Sequence, residues 1–377
     1  MRDIQMVDLR AQYERLKQEI DEAISSVLHS AAFVKGPEIK KFEEEFADYL
    51  GTGNVIACGN GTDALQIAMM ALDLKPGDEI ITTSFTFIAT VETMALLGLK
   101  PVFADVDERT YNISPDEIKK VLSPATRAIV PVHLFGQCAE MEQIMKIAEE
   151  NRLYIIEDSA QAAGADFIFS NGKRKKAGTI GTIGTTSFFP SKNLACYGDG
   201  GALFTDDETL AAKIRSIANH GMKVRYYHDY VGVNSRLDTL QAAILRVKLR
   251  YLDSFNEARR KAASIYDEAL SLCPDIIIPV RTQFSTHIFH QYTIRVLNGK
   301  RDQLKDYLQS LKIPAMIYYP VPIHLQKAYR YLGYTEKDLP VSTQLCKEVL
   351  SLPICPEIER EQLDYITDAI LKFFKSK

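Results

Sequence analysis

Short apolar segments alternate with helical segments from about residue 76 onward, and this alternation restricts the fold more than any other feature of the sequence. Four such segments are predicted as strands: Asp78–Thr82, Pro101–Val106, Ala128–Val132 and Leu153–Asp158. Strands that are almost wholly apolar are typical of a parallel sheet covered by helices on both faces. The sequence therefore predicts an α/β fold, in which ligands bind beyond the carboxyl ends of the strands.

Residues that could contact a ligand follow several predicted strands at the point where each strand ends. They are Gly61 with Thr62 (after a strand at Val55–Cys58), Phe85 to Phe87, His133, and Asp158 with Gln161. A helix predicted to begin at about Thr62 offers free backbone N–H groups to an anion. An acid such as Asp158 at the end of an apolar strand is costly without a cationic partner. We interpret His133 as a hydrogen-bonded core histidine and not as a catalytic residue.

One lysine differs from the others in its surroundings. Lys192 follows the apolar turn Ser187–Pro190 and precedes a glycine-rich segment that ends in a predicted buried strand, Ala202–Thr205. Desolvation favours the neutral amine, the form that condenses with an aldehyde. The alternative is a lysine at the mouth of a loop whose amine reaches water.

Helical periodicity predicts amphipathic helices over residues 8–29 and 37–50 and a long helix from about residue 238 to 271. We place a domain boundary within the long helix, near residue 250. Residues 1–250 then form a large domain that includes the N-terminal helices, and residues 251–377 form a small α+β domain.

Composition excludes several classes of protein. A net charge of −4 gives no electrostatic reason to expect nucleic acid or a membrane surface as a partner, and only the basic run at residues 173–176 favours nucleic acid. No apolar run approaches the roughly 20 residues that span a bilayer. The six cysteines form no C-x-x-C pair, so we expect reduced thiols, no metal site and a cytoplasmic location.

Several motifs in one order resemble the DegT/DnrJ-type nucleotide-sugar aminotransferases, a branch of the fold type I pyridoxal-phosphate enzymes. The motifs are Asn60–Leu65, Pro76–Glu79, Glu157–Gln161, Ser187–Lys192, Tyr197–Gly201, His220–Gly221 and Asn234–Asp238. The resemblance runs nearly from end to end. It implies a mostly parallel, seven-stranded type of sheet in the large domain, a smaller C-terminal α+β domain, and pyridoxal 5'-phosphate as cofactor.

The resemblance also implies roles for particular residues. Lys192 would bind the cofactor covalently and act as general base, and Asp158 would pair with the pyridine nitrogen. The other cofactor contacts would come from Gly61, Thr62, Phe87, Gln161, Ser187 and Asn234. In this family the asparagine at position 234 reaches the phosphate in the neighbouring subunit, which implies a homodimer with shared active sites.

Among members of the family, the chain looks most like those that aminate C3 of UDP-2-acetamido-2-deoxy-3-oxo-D-glucuronate for surface polysaccharide and O-antigen synthesis. The amino donor would be L-glutamate. Predicted substrate contacts are Arg236, Tyr318, Tyr319 and His324. The alternatives are a dTDP-linked 3-keto-6-deoxyhexose, a 4-keto sugar, or, in another class, a regulatory protein that binds pyridoxal phosphate without turnover.

Overall fold

The computed structural model describes residues 2–375. Its strands are β1 (Asn54–Cys58), β2 (Glu79–Thr83), β3 (Lys100–Ala104), β4 (Thr126–Val130), β5 (Tyr154–Asp158), β6 (Asp166–Ile168), β7 (Arg174–Lys176), β8 (Ile183–Ser187), β9 (Gly201–Thr205), β10 (Met222–Val224), β11 (Tyr227–His228), β12 (Ile276–Ile277), β13 (Tyr292–Val296) and β14 (Val349–Leu352). The predicted strands before Asp158 are all present.

The helices alternate with the strands of the first half and dominate the second. They are α1 (Leu9–Ser30), α2 (Pro37–Leu50), α3 (Gly61–Ala71), α4 (Ala89–Leu96), α5 (Pro115–Val121), α6 (Met141–Asn151), α7 (Glu208–Ile217), α8 (Thr239–Leu249), α9 (Leu252–Leu270), α10 (Arg301–Ser310), α11 (Pro340–Glu348) and α12 (Arg360–Lys375). Within residues 2–375, no helix combines the length and the apolar character needed to cross a membrane.

Seven strands form one large sheet in the order β1-β9-β8-β5-β4-β2-β3. Strand β9 pairs antiparallel with both β1 and β8, and the other pairings are parallel. The predicted mostly parallel α/β sheet is therefore confirmed. Because six strands share one direction, the polar residues that follow β1, β2, β4, β5 and β8 meet at one edge.

Helices cover both faces of the large sheet, and alternate strand residues point to opposite faces. Ile80 and Ile156 pack with α3, α4 and α7 on one face. Ile81 and Ile155 pack with α6 on the other, where α2 and α8 cover the remaining strands. Two helical layers thus fix the strand ends that carry the polar residues.

A second core lies in the C-terminal third of the chain. The antiparallel strands β12, β13 and β14 pack with α9, α10 and α12 around side chains such as Tyr266 and Ile366. Ile4 from the N-terminal segment joins this core, whereas Leu345 and Val349 belong to a separate cluster with Phe85, which follows β2. The division at residue 250 remains a prediction, and each of the two parts contributes side chains to a core of the other.

The prediction of one long helix from residue 238 to 271 is wrong. The structure has two helices, α8 and α9, with a break at Arg250 and Tyr251. Leu245 and Leu249 pack beside the large sheet, whereas Ala262 and the residues after it pack in the C-terminal core. A straight helix does not serve both cores, so the chain bends between them.

Candidate active site

A cavity of about 800 Å³ opens at the carboxyl edge of the large sheet. Nine of the predicted site residues line it: Gly61, Thr62, Phe87, Asp158, Gln161, Ser187, Lys192, Tyr318 and Tyr319. Asp158 and Ser187 are the last residues of their strands, and Lys192 lies on the loop between two strands. The others, except for the two tyrosines, come from loops and helix starts that follow strands of the sheet. Their convergence follows from the shared direction of the strands.

The first turn of α3 forms one wall of the cavity. Asn60 precedes the helix and accepts the backbone N–H of Asp63 at 2.8 Å, which leaves the other N–H groups of the first turn available to a ligand. A Cβ atom on Gly61 would lie 2.7 Å from Cβ of Ser187. Only glycine therefore allows the helix start and the end of β8 to approach so closely, and together they form a cradle for an anion.

Lys192 is half-buried in the wall of the cavity, on the loop between β8 and β9. Its backbone N–H donates to the carbonyl of Phe189 at 2.8 Å, which closes the turn that presents the side chain. Burial lowers the pKa of the Lys192 amine to about 8, although the charge of Asp158 acts in the opposite direction. A substantial fraction of the amine is therefore neutral near physiological pH.

Asp158 ends strand β5 with its carboxylate in the cavity. The hydroxyl of Thr90, on α4, donates to Oδ2 at 2.8 Å, and the backbone N–H of Ala160 approaches Oδ1 at 3.2 Å. These contacts fix the carboxylate in one orientation. An anion held in this way stabilises a protonated nitrogen placed against it.

The preceding acid, Glu157, points to the opposite side of the sheet and is wholly buried. Its oxygens accept backbone N–H groups from Gly178, Ile180 and Gly181 at 2.9, 2.6 and 2.5 Å. Burial raises the pKa of Glu157, but His133 and these N–H groups outweigh it and hold the pKa below its ordinary value. Glu157 thus pins the glycine-rich loop before β8.

His133 bridges Glu157 and the chain beside it. Its Nε2 lies 2.8 Å from Oε2 of Glu157, and its Nδ1 accepts the backbone N–H of Ala139 at 3.1 Å. Since Nδ1 accepts, Nε2 carries the proton and donates to the acid. The interpretation of His133 as a hydrogen-bonded core histidine is confirmed.

An aromatic wall lies opposite the sheet edge. Gln161 accepts the backbone N–H of Phe135 at 2.7 Å and donates to the hydroxyl of Tyr319 at 3.1 Å. The ring of Phe87 lies 6.3 Å from the ring of Tyr319 and remains 55% exposed, so its face is available to a planar ligand. Tyr318 and Tyr319 come from the C-terminal third of the chain and form part of the cavity wall.

Three predicted residues do not line this cavity. His324 is buried behind it, where its Nδ1 lies 2.7 Å from the hydroxyl of Ser84. Asn234 pairs with Asn219 in an isolated antiparallel bridge, and Arg236 lines a separate cavity of about 550 Å³. Ser235 between them is fixed by Asp63, whose Oδ2 accepts its hydroxyl at 2.6 Å.

Sequence reasoning missed other residues of the site, and three of them bear on its arrangement. Thr90 orients Asp158, and His290 and Gln291 line the cavity from the segment before β13. Thr90 lies three residues beyond the predicted strand-end segment at Phe85–Phe87, so the position of that segment was a usable signal. His290 and Gln291 belong to the C-terminal core, and only the tertiary packing brings them here.

The profile of the DegT/DnrJ/EryC1/StrS aminotransferase family matches residues 14–371. A pleiotropic regulatory protein of Geobacillus stearothermophilus is 46% identical over 99% of both chains. The UDP-2-acetamido-2-deoxy-3-oxo-D-glucuronate aminotransferase of Pseudomonas aeruginosa is 43% identical over 97% of this chain and 99% of its own. The dTDP-3-amino-3,4,6-trideoxy-alpha-D-glucose transaminase of Streptomyces venezuelae is 40% identical over 97% and 95%.

Solved structures give the same result. DesV from S. venezuelae superposes with a TM-score of 0.95 at 38% identity and covers 100% of this chain and 99% of its own. The protein NtdA from Bacillus subtilis, solved with bound cofactor PMP, has a TM-score of 0.87 at 31% identity over 95% and 82% of the two chains. The fold type I assignment is therefore confirmed.

The cavity also fits pyridoxal phosphate on its own chemistry. Its desolvated lysine suits an aldehyde, its glycine-lined helix start suits a phosphate, and its fixed Asp158 carboxylate suits a protonated ring nitrogen. The chain belongs to the DegT/DnrJ/EryC1/StrS aminotransferase family and is a pyridoxal-phosphate-dependent aminotransferase of nucleotide sugars.

Proposed function

We propose that the chain transfers the amino group of L-glutamate to C3 of UDP-2-acetamido-2-deoxy-3-oxo-D-glucuronate, for surface polysaccharide synthesis. The observation that carries the transfer chemistry is the Lys192 amine, whose pKa is lowered to about 8, in one cavity with the fixed carboxylate of Asp158. The choice of sugar is supported by 43% identity to the P. aeruginosa aminotransferase of that substrate.

Pyridoxal phosphate, when bound, supplies the aldehyde that carries the amino group from donor to acceptor. Lys192 holds the cofactor between reactions, and its freed amine then takes the proton from the α-carbon of glutamate. In the second half of the reaction the same amine returns a proton to C3 of the sugar. Asp158 holds the proton on the ring nitrogen throughout.

The remaining predicted contacts keep their proposed roles. Gly61, Thr62 and Ser187 hold the phosphate at the start of α3, where backbone N–H groups and the helix dipole favour an anion. The exposed ring of Phe87 stacks on the cofactor ring, and Gln161 lies near its phenolic oxygen. Tyr318 and Tyr319 contact the sugar. His324 is the exception, because it is buried against Ser84 behind the cavity, and we no longer propose it as a substrate contact.

We further propose a homodimer in which Asn234 and Arg236 complete the partner's site. Both residues lie outside the cavity of their own chain, which supports a role across an interface. The adjoining hairpin of β10 and β11 and the segment just after it expose apolar side chains that a second copy would cover: Val224, Tyr226, Tyr227 and Val231 are each at least 62% exposed. Arg236 would then contact the uronate carboxylate of the substrate.

A cytoplasmic location is part of the proposal. All six cysteines are buried free thiols, which suits a reducing compartment. Lysines 175 and 176 of the basic run are bound within the chain: Lys175 donates to the carbonyl of Thr179 at 3.0 Å, and Lys176 pairs with Asp166 at 2.9 Å. This leaves little basic surface for a nucleic acid.

The absorption spectrum of the purified protein with pyridoxal phosphate tests the function. We expect a yellow band that L-glutamate bleaches and that the correct keto sugar restores, with Lys192→Ala as the control that lacks the band. A panel of UDP-linked 3-keto uronates, dTDP-linked 3-keto-6-deoxyhexoses and 4-keto sugars identifies the acceptor. Restoration by a dTDP-linked sugar alone would reject the UDP-uronate proposal and leave the aminotransferase intact.

The 46% identity to a protein named as a pleiotropic regulatory protein favours a second candidate function, a regulatory role beside transamination and not in place of it.

A further inference from the structure

Three buried side chains connect the lysine loop, the segment between β8 and β9 that carries Lys192, to helix α9 and to the cavity wall. Asn193, the residue after Lys192, donates from Nδ2 to Oδ1 of Asn256 at 2.7 Å. Its Oδ1 lies 3.2 Å from Nδ1 of His290. Asn193, Asn256 and His290 are all at most 5% exposed, and His290 lines the cavity beside Lys192. The catalytic lysine is thus flanked by a hydrogen-bonded chain that ends in an imidazole.

The order of donors in this chain fixes the proton of His290. Asn256 uses its Nδ2 to donate to the carbonyl of Ala163 at 3.1 Å, so its Oδ1 is the acceptor for Asn193. The Nδ2 of Asn193 is thereby committed, and its Oδ1 faces His290. An amide oxygen only accepts hydrogen bonds, so Nδ1 of His290 carries a proton and Nε2 of the neutral ring carries a lone pair.

The ring stays neutral. Burial is the main cause that lowers the pKa of His290 well below its ordinary value, and the positive charges of Lys192 and Arg259 act in the same direction. A second proton on Nε2 would place a cation among cations in a desolvated site.

The backbone around His290 is held in place. Nη1 of Arg259 donates to the carbonyls of Phe289 and His290, both at 3.2 Å. Gly136, with φ at +100°, approaches so closely that a Cβ atom on it would lie 2.9 Å from the backbone nitrogen of His290. The backbone that carries the imidazole is therefore fixed beside the cavity that Lys192 also lines.

We propose that His290 is a positioning residue whose Nε2 lone pair accepts an N–H of the Lys192 amine and so directs the amine's own lone pair at the incoming carbonyl carbon. In that condensation the nitrogen replaces the carbonyl oxygen, which leaves as water with the two amine protons. The inference rests on the proposed role of Lys192 as the covalent anchor.

Two conservative variants separate this role from a structural one. In His290→Asn, the side-chain NH₂ takes the place of Nδ1–H, so the contact with Asn193 survives and the acceptor toward Lys192 is lost. In His290→Gln, the amide oxygen takes the place of Nε2, so the acceptor survives and the contact with Asn193 is lost. A purely structural histidine predicts that the asparagine variant is the milder of the two.

The test is the rate at which apoprotein takes up pyridoxal 5'-phosphate covalently, followed by absorbance at a pH where Lys192 is deprotonated. Loss of one hydrogen bond corresponds to a roughly fivefold to tenfold slower rate, which we expect for His290→Asn. We expect His290→Gln to stay within about threefold of wild type. Nitrogen NMR of apoprotein labelled in histidine provides a second readout, in which His290 is expected as the Nδ1–H tautomer.

Equal rates in the two variants, a faster His290→Asn, or an Nε2–H tautomer would overturn this inference alone. Absence of covalent uptake from the wild type, or equal uptake by Lys192→Ala, would overturn the proposed function together with it. Circular dichroism and thermal melting of each variant verify that it is folded.

Discussion

Thr90 donates its hydroxyl to Oδ2 of Asp158 at 2.8 Å, and both side chains are almost fully buried. This contact joins helix α4 to the last residue of β5 across the floor of the cavity. It leaves the carboxylate little freedom to rotate, although the two residues are 68 positions apart in the chain.

Replacing Thr90 by Val keeps the shape of the side chain and removes the donor to Asp158. We expect kcat to fall roughly tenfold, because a less well oriented carboxylate holds the ring proton less firmly. Steady-state kinetics on both half-reactions measures the effect. Thr93→Val is the matched control, since its buried hydroxyl bonds only to carbonyls of its own helix. Equal losses in both variants would contradict the assigned role of Thr90.

The pKa of Lys192, lowered to about 8, predicts how cofactor uptake depends on pH. The neutral amine is the reactive form, so the rate of covalent uptake by apoprotein should rise with pH and reach half its plateau near that value. Stopped-flow absorbance across a pH series measures the profile. A midpoint near the ordinary value for lysine would show that the amine is not desolvated.

A second buried lysine offers a control for that chemistry. Burial also lowers the pKa of Lys248 to about 8, but its side chain is only 1% exposed and its amine lies over the ring of Tyr197. We expect borohydride reduction of the loaded protein, followed by peptide mapping, to label Lys192 and leave Lys248 unlabelled. Labelling of Lys248 would show that a lowered pKa suffices without access from the cavity.

Variants of Glu157 and Asp158 should differ in effect, the first on the stability of the fold and the second on the activity. The pKa of Glu157 is held below its ordinary value in the folded protein, so its stabilising effect is present above the unfolded pKa and is lost as the pH falls through the folded one. Glu157→Gln should lose about 3 kcal/mol of unfolding free energy near neutral pH and less in acid. Asp158→Asn should keep most of its stability and lose most of its activity. Denaturant unfolding and turnover of both variants test the contrast.

Mixed dimers test the shared site. Asn234→Ala and Lys192→Ala should each be strongly impaired as homodimers. Random mixing of the two gives half heterodimers, each with one complete site, so about a quarter of the wild-type sites should be restored. Activity of the mixture at the level of the separate variants, after subunit exchange has been verified, would reject a contribution of Asn234 across the interface.

The sheet and the centre of the site could be predicted because both depend on local signals. Lys192 stood out by its uncharged surroundings, and Asp158 by its place at the end of an apolar strand. Parallel strands then carry such residues to one edge whatever their separation in sequence. Seven of the nine predicted residues that line the cavity lie there for this reason, and the other two are Tyr318 and Tyr319 from the C-terminal third of the chain. Their individual roles stay predictions.

Other features depend on packing that no local pattern encodes. The break between α8 and α9 reflects two cores competing for one helical segment, although the sequence reads as continuous helix. His290 reaches the cavity because the C-terminal core docks beside the lysine loop. Histidine is a residue type that often contacts substrates, yet the fold places His324 against Ser84 and away from the cavity.

Because Glu157 and Asp158 point to opposite faces of the sheet, the register of strand β5 determines which of them reaches the cavity. The two acids differ by a single methylene, and either could occupy the cavity by charge alone. A one-residue slip of β5 against β4 and β8 in one direction would send Glu157 into the cavity and place Ile156 against the glycine-rich loop before β8. A slip in the other direction would place Asp158 against that loop and Ser159 in the cavity. Insertions and deletions just before Tyr154 should therefore be tolerated far less well than substitutions there, even though Tyr154 itself lies at the exposed start of the strand.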